Sequence, residues 1–520
     1  MSRGKLIALV VGFGLLVGAV LGGVTAALVL RDGGSDEAGG DGGSGGGGAA
    51  GEAPDAALQG FYDQDIDWSD CEDDDAYECG WLEVPLDYQE PDGETIELRL
   101  RREPAAEPDE RIASLVTNPG GPGASGADFV TYAPFSSALK DRFDIVGFDP
   151  RGTGESSPID CLSDEELDEY MAYSADPETP EGQAGTIEWQ ERFGAGCEEL
   201  SGDLVNHVST VETARDMDVL RAALGDEDLH YVGFSYGTTL GAVYATYFPE
   251  RSQRLVLDGA TDPSLDRVDG SISQIAGFEV AWDNFAADCQ SLPGCPLGST
   301  PDEASQIIDG FFDELLAQPI ATSDPDRPLT AALAQTGVQA ALYSEDYWPI
   351  LTQAIDDGLS GDGTYLLLLA DSYADRAEDG TYNSNLMEAF YAISCLDDPT
   401  SLGPDEAEQY ADDFAEASPT FGQGGEIGLG WCSGYTGRQA EEPREVTGEG
   451  AAPIVVIGTT GDPATPYEEA VAMADELESG VLLTREGEGH TAYGSGNSCI
   501  DDTVDAFLLE GEVPEDGTTC

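Results

Sequence analysis

The stretch His230-Tyr-Val-Gly-Phe-Ser-Tyr-Gly-Thr-Thr-Leu-Gly241 decides the fold, because an apolar run passes through one tight turn into a helical pattern. Its centre, Gly233-Phe-Ser-Tyr-Gly237, has the spacing of a nucleophile elbow, in which a serine stands on a strained turn between a strand and a helix. The same short pattern also arises by accident in a chain with 66 glycines. The apolar run before the motif and the helical pattern after it favour the elbow. The elbow predicts Ser235 as an exposed nucleophile above a sheet.

Strands and helices alternate around this turn, which is the pattern of a mostly parallel sheet covered on both faces. A two-stranded antiparallel unit is predicted first, at residues 81–88 and 94–101. The sequence then predicts an α/β core in two parts, residues 58–260 and 451–520, separated by an inserted and mainly helical cap domain at 261–450. Further strands are expected at residues 112–117, 143–149, 254–258, 453–458 and 480–485, and cap helices at 307–316, 329–342 and 347–359.

Three histidines compete for the role of the base that a serine nucleophile needs. His230 lies in the strand before Ser235, where we expect a packed residue, and His207 precedes a helix cap. His490 follows a predicted strand in a glycine-flanked loop, where an exposed base belongs. Asp462 ends the preceding strand; it either orients His490 or merely forms a Gly-Asp-Pro turn. The order serine, aspartate, histidine is that of the α/β-hydrolase fold, which we predict for this chain.

An oxyanion site requires backbone N–H groups close to the nucleophile. One is expected from Tyr236, the residue after Ser235. The other is expected from Gly121, in a loop at residues 118–126 that holds four glycines and directly follows a buried strand. A flexible turn is the alternative for this loop. Asp149 and Arg151, after the next strand, are expected to hold a turn by hydrogen bonds and not to take part in catalysis.

Several motifs together resemble a known family. They are Pro119-Gly-Gly-Pro-Gly123, Asp149-Pro-Arg-Gly-Thr-Gly-Glu-Ser156, Gly233-Phe-Ser-Tyr-Gly-Thr238, Gly461-Asp-Pro-Ala-Thr-Pro466 and Gly489-His490. The chain from about residue 68 to 520 resembles the exported tripeptidyl aminopeptidases of actinobacteria, relatives of the prolyl aminopeptidases. The resemblance implies an α/β-hydrolase with a helical cap that cleaves short peptides from free N-termini through an acyl-enzyme. Asn118-Pro119 departs from the His-Gly of the prolyl enzymes.

An aminopeptidase needs an anionic site for the ammonium group of its substrate. The cap segment Ala392-Ile-Ser-Cys-Leu-Asp-Asp398 places two acids beside a cysteine that we expect to be disulfide-bonded. Asp397 is therefore predicted to bind the substrate ammonium. The alternative is ordinary surface charge, since the chain holds 103 aspartates and glutamates.

Composition limits the surroundings and the partners of the protein. The net charge of -82 excludes a general nucleic-acid binder and favours a hydrated anionic surface suited to saline surroundings over an acidic recognition surface. Residues 1–31 contain an apolar run behind two basic residues, which predicts a single membrane anchor with the remainder outside the cell; cleavage near residues 25–27 and secretion are the alternative. Residues 32–57, rich in Gly and Asp, are expected to be a flexible linker.

Ten cysteines in an exported chain favour five disulfides, and metal-binding spacings are absent, so no metal and no other cofactor is expected. Proximity along the chain favours the pairs Cys71–Cys79, Cys161–Cys197, Cys289–Cys295, Cys395–Cys432 and Cys499–Cys520, although spacing alone does not determine connectivity.

These observations together predict an extracellular, monomeric serine aminopeptidase that acts on peptides with a free N-terminus. A carboxylesterase acting on small esters is the alternative within enzymes, because the same triad serves both chemistries. A surface binding protein that has kept a hydrolase fold without activity is the alternative outside enzymes.

Overall fold

The computed structural model describes residues 52–177, 179–438 and 444–520. Within them, ten strands form one sheet in the spatial order β1-β2-β3-β5-β4-β6-β7-β8-β9-β10. The strands are β1 (Ser69–Asp70), β2 (Glu78–Pro85), β3 (Thr95–Glu103), β4 (Ala113–Asn118), β5 (Phe143–Phe148), β6 (Leu229–Phe234), β7 (Ser252–Asp258), β8 (Ile454–Gly461), β9 (Gly480–Glu488) and β10 (Thr518–Thr519).

Helices fall into three groups along the chain. Before and around the elbow lie α1 (Gln59–Tyr62), α2 (Gly126–Phe129), α3 (Ser137–Arg142), α4 (Asp164–Ala172), α5 (Pro180–Ser201), α6 (Thr210–Ala223) and α7 (Tyr236–Tyr247). Between β7 and β8 lie α8 (Arg267–Ser291), α9 (Pro301–Ala317), α10 (Ala331–Leu342), α11 (Trp348–Leu359), α12 (Thr364–Tyr373), α13 (Leu386–Asp397), α14 (Pro404–Ala407) and α15 (Ala411–Ala417). The core ends with α16 (Tyr467–Glu476) and α17 (Ser498–Glu510).

The sheet is mostly parallel, as the α/β-hydrolase fold requires. β2 and β3 pair antiparallel, which confirms the predicted two-stranded unit, and β3 pairs antiparallel with β5. From β5 to β10 every neighbouring pair is parallel. The carboxyl ends of β4, β6, β7, β8 and β9 therefore meet at one edge of the sheet, where ligands bind in open parallel sheets.

Two apolar layers cover the faces of the sheet. Tyr231 and Val232 are successive residues of β6 and are both fully buried, yet they enter different layers because successive side chains of a strand point to opposite faces. Helices α6, α7 and α16 contribute to the layer around Tyr231, and α17 contributes Phe507 to the layer around Val232. Both faces are thus buried, which explains the near-continuous apolar runs of the central strands.

The helices between β7 and β8 have an apolar core of their own, centred on Trp282, Phe285, Leu351 and Leu366. All three predicted cap helices are present and overlap α9, α10 and α11. The acidic segment between Cys161 and Cys197 packs against this helical body, because the ring of Phe193 lies 4.3 Å from that of Tyr391 in α13. The sequence had not indicated this second contribution to the cap.

The five disulfides pair as proximity along the chain predicted, and the described residues contain no free cysteine. Residues 52–57, assigned to the linker, belong to the folded body: Ala53 is buried and the carbonyl of Glu52 accepts a hydrogen bond from Arg251. The predicted anchor at residues 1–31 lies outside the described residues. In the part of the chain that is described, no helix has both the length and the hydropathy of a membrane span.

Asp149 and Arg151 hold turns and loops, as predicted. Asp149 accepts hydrogen bonds from Ser125 and from two backbone N–H groups. The fully buried guanidinium of Arg151 forms two bonds of 2.7 Å to Asp216 and donates to the carbonyl oxygens of residues 85, 86 and 207. The paired hydrogen bonds to Asp216 require the planar guanidinium group of arginine, whose N–H groups a lysine ammonium cannot reproduce.

We predict that Arg151→Lys destabilises the fold by about 3 kcal/mol, because it leaves buried acceptors of Asp216 and of the backbone without donors. Urea unfolding followed by circular dichroism measures this change. Arg142→Lys, at an exposed pair with Glu110, is the matched control and is expected to change stability far less. Equal stability of the two variants would contradict a structural role of Arg151.

Candidate active site

Ser235 occupies a nucleophile elbow between β6 and α7. Its φ of 55° and ψ of -126° lie outside the regions that ordinary residues prefer. Hydrogen bonds hold this backbone: the Ser235 N–H donates to the carbonyl of Asp258 at 2.9 Å, and the Ser235 carbonyl accepts from both the N–H and the hydroxyl of Thr238. A Cβ at Gly233 would lie 2.2 Å from the carbonyl oxygen of Gly237, so only glycine permits this turn.

Asp462 and His490, which the sequence predicted as acid and base, lie in hydrogen-bond contact. Nδ1 of His490 lies 2.9 Å from both carboxylate oxygens of Asp462. Asp462 is completely buried and also accepts the backbone N–H groups of residues 464, 465 and 491, so its orientation is set by the chain around it. With the Nδ1 proton directed at Asp462, the Nε2 atom of His490 is the one that can accept a proton.

The protonation of His490 reflects opposing influences. Burial disfavours the charged imidazolium, but the charge of Asp462, its hydrogen bond and the charge of Asp258 outweigh burial and raise the pKa of His490 above its ordinary value. Stabilising the imidazolium is what a general base needs, because it must hold the serine proton during the reaction.

The helical insertion also holds His490. The His490 N–H donates to the carbonyl of Tyr343, just after α10, at 2.9 Å. The Tyr343 ring stands edge-on to the imidazole, with ring centroids 5.4 Å apart and an interplanar angle of 88°. His490 is therefore held by Asp462 through its side chain and by the helical insertion through its backbone.

The glycine loop after β4 lies directly against the elbow. A Cβ at Gly120 would be 2.5 Å from the carbonyl oxygen of Phe234 and 2.8 Å from Cβ of Ser235, so a larger residue has no room there. The N–H of Gly120 is occupied by the side chain of Asn118 at 2.9 Å. Among the described residues, the N–H groups of Gly121 and Tyr236 donate to no other group, which suits the predicted oxyanion donors.

Asp397 lies at the end of α13, against the beginning of α6. Its carboxylate accepts the N–H of Thr210 at 2.9 Å and the Thr210 hydroxyl at 2.5 Å. The same hydroxyl lies 2.5 Å from the hydroxyl of Tyr236, the residue after the nucleophile. Burial raises the pKa of Asp397 to about 6. Binding of a substrate ammonium by Asp397 stays a prediction; the contacts show that Asp397 is connected to the elbow.

Two residues at the site were not predicted from the sequence. Asp258 ends β7, and its carboxylate accepts the N–H groups of Ala492 and Tyr493, directly after the His490 loop. A charged residue ending an apolar strand at this edge was a visible signal. Tyr343 acts on His490 through its carbonyl oxygen, for which a sequence offers no signal.

The other two histidines lie away from the triad. His230 is buried in β6 beside Phe143, and burial lowers its pKa to about 4. His207, Asp87 and Glu212 bring potential metal-ligand atoms within 4.8 Å of one another, and they are the group of this kind among the described residues. Arg151 lies 3.6 Å from Glu212 and already supplies a positive charge there, which argues against a metal ion at this place.

We predict that Asp462→Asn lowers kcat by about 10⁴-fold, because the carboxamide cannot stabilise the imidazolium and favours the wrong tautomer. The neutral imidazole is the active form, so the wild-type activity is expected to fall as the pH drops through the raised pKa of His490, above pH 6.5. The residual activity of the variant is expected to fall only at a lower pH, because the charge of Asp462 no longer raises that pKa.

Steady-state kinetics on a chromogenic ester between pH 5 and 9 measures both quantities. Asp502→Asn, at an exposed position of α17, is the matched control and is expected to behave like the wild type. Wild-type kcat in the Asp462 variant would exclude Asp462 from the triad.

Comparison with known proteins agrees with this geometry. Residues 418–520 match the family described as TAP-like protein. The serine protease Hip1 of Mycobacterium tuberculosis is 38% identical over 478 residues, covering 88% of this chain and 91% of its own. Carboxylesterase B of the same organism is 36% identical over 453 residues, covering 85% and 86%. The tripeptidyl aminopeptidase of Streptomyces lividans is 32% identical over 493 residues, covering 88% and 86%. The chain belongs to the TAP-like family of α/β-hydrolases.

Proposed function

We propose that this protein is a serine aminopeptidase that releases short peptides, specifically tripeptides, from free N-termini through an acyl-enzyme. The observation that carries the proposal is the pairing of Asp462 and His490 at the same sheet edge as the strained Ser235, beneath a helical insertion. The names of two relatives, a serine protease and a tripeptidyl aminopeptidase, support peptide over other substrates.

The chemistry follows from the roles of the side chains. Nε2 of His490 accepts the hydroxyl proton while Oγ of Ser235 attacks the scissile carbonyl carbon. The carbonyl oxygen becomes an oxyanion, which the N–H groups of Gly121 and Tyr236 stabilise. The carbon–nitrogen bond then breaks, and the leaving amine takes the proton from His490. Water, deprotonated by His490, attacks the acyl-enzyme and releases the peptide and free Ser235.

The helical insertion contacts both the glycine loop and His490. Leu386 and Phe390 of α13 contact the glycine loop, since a Cβ at Gly123 would lie 2.7 Å from the carbonyl oxygen of Leu386 and 2.9 Å from the N–H of Phe390. The Tyr343 ring packs edge-on against the His490 imidazole. Packed helices beside both loops of the site suit the end of a peptide better than the middle of a folded chain, which supports exopeptidase activity.

A carboxylesterase is the second candidate, because a relative at 36% identity carries that name and the triad serves esters equally well. A catalytically silent binding protein is the third.

For location, we propose the outer side of the cell membrane, with attachment or secretion through the N-terminal segment. Five disulfides support an oxidising compartment. We propose that the protein acts as a monomer.

We predict that the protein without its N-terminal apolar segment cleaves a mixed peptide library at the third bond from free N-termini, as measured by mass spectrometry of the products. Ser235→Ala is expected to abolish cleavage and labelling by a fluorophosphonate probe. Turnover of esters and amine-blocked peptides alone would establish the esterase instead. Absence of probe labelling in the wild type would favour the binding protein.

We predict that Asp397→Asn raises the KM for peptides with a free amine by about 10- to 100-fold, because one charge-assisted hydrogen bond to the substrate is lost. Hydrolysis of a small neutral ester, which has no ammonium group, is expected to be unchanged. Asp398→Asn is the matched control, since Asp398 binds Arg267 and Thr400. Equal losses on both substrates would instead show that Asp397 acts through Thr210 and Tyr236.

A further inference from the structure

Asp258 is a buried carboxylate that belongs to no element of the proposed triad. It is completely inaccessible to solvent at the carboxyl end of β7, next to the elbow in the sheet. Both of its carboxylate oxygens lie 3.0 Å from the N–H of Ala492, and Oδ2 lies 2.7 Å from the N–H of Tyr493. These two N–H groups follow His490 and Thr491 directly in the chain.

The backbone of the same residue holds the nucleophile. The carbonyl of Asp258 accepts the N–H of Ser235 at 2.9 Å. One residue thus contacts the nucleophile through its main chain and the loop of the base through its side chain. Ser235 and His490 are far apart in sequence, and each stands in a loop or turn, so their relative position depends on tertiary contacts such as these.

We propose that Asp258 is a positioning residue, which sets the distance between Ser235 and His490 by binding the backbone N–H of Ser235 and the backbone N–H groups of Ala492 and Tyr493, just after His490. The inference rests on the proposed hydrolase chemistry at this site. Asp258 does not touch the reacting atoms, because its carboxylate faces the backbone N–H groups of residues 492 and 493. A displacement of only 1 Å between catalytic groups costs about 10²-fold in rate, so such a clamp has a measurable effect.

The charge of Asp258 also affects the pKa of His490. The titratable groups that face it are His490 and Asp462, on the loops after β9 and β8. Burial raises the pKa of Asp258 to about 6, while the N–H groups of Tyr493 and Ala492 favour its charged form. The negative charge of Asp258 in turn contributes to the raised pKa of His490. Removing it lowers that pKa.

The test compares Asp258→Asn and Asp258→Glu with the wild type and with Asp226→Asn. Asp226 is the matched control, because its carboxylate accepts the N–H of Ser114 near the amino-terminal edge of the sheet, away from the triad. The measurements are kcat and KM for an ester, the rate of fluorophosphonate labelling of Ser235, the pH profile and the melting temperature.

The expected result for Asp258→Asn is a kcat about 30- to 100-fold lower, with KM changed less than about 3-fold and the acidic limb of the pH profile at lower pH. Asp258→Glu keeps the negative charge but changes the length of the side chain. Its kcat is therefore expected to fall, while the acidic side of its pH profile stays at the wild-type pH. Asp226→Asn is expected to lower the melting temperature and to leave kcat unchanged.

Wild-type kcat in Asp258→Asn, or a loss no larger than that of Asp226→Asn, would overturn the proposal. A wild-type enzyme that neither hydrolyses esters nor reacts with the probe would refute the proposed function itself. If the Asp258 variants do not fold, hydrogen exchange of the wild type decides. Amides 492 and 493 are expected to exchange at least about 100-fold more slowly than their intrinsic rate, and exchange close to that rate would contradict the clamp.

Discussion

The backbone of Ser235 is the constraint on which the rest of the site depends. A residue other than glycine at a φ of 55° and a ψ of -126° is costly, by roughly 1–3 kcal/mol, and persists only where its surroundings hold it. Three hydrogen bonds, to Asp258 and from Thr238, do so here. The first N–H of α7, that of Tyr236, is left without a partner inside the helix.

The helical insertion makes direct contacts with the loops of the candidate active site. Its residue Tyr343 supplies the acceptor for the backbone N–H of His490, and its helix α13 packs on the glycine loop beside the nucleophile. At the same time Asp397 connects α13 to Tyr236 through Thr210. The insertion therefore contacts both the loop of His490 and, through Thr210, the residue that follows Ser235.

Much of this arrangement could be predicted from the sequence, because it depends on local patterns. The alternation of apolar strands and helices predicted the parallel sheet, and the position of polar loops after β8 and β9 identified Asp462 and His490. The pairing of the cysteines followed from their proximity. The roles of Asp258 and Tyr343 could not be predicted in this way, since each acts at least partly through a backbone group on a residue distant in sequence. Asp397 was identified as a residue of interest, but its contact with Thr210 depends on how α13 meets α6, which no local pattern encodes.

The hydrogen bond from Ser235 to Asp258 and the pairing of β7 with β8 also have a consequence for the growing chain. The elbow and β7 are synthesised before the helical insertion, whereas the acid and the base follow it, on loops after β8 and β9. A partly synthesised chain therefore contains Ser235 before the proposed acid and base. Activity through the proposed triad requires that β8 has paired with β7 and that the loop carrying His490 has met the finished insertion.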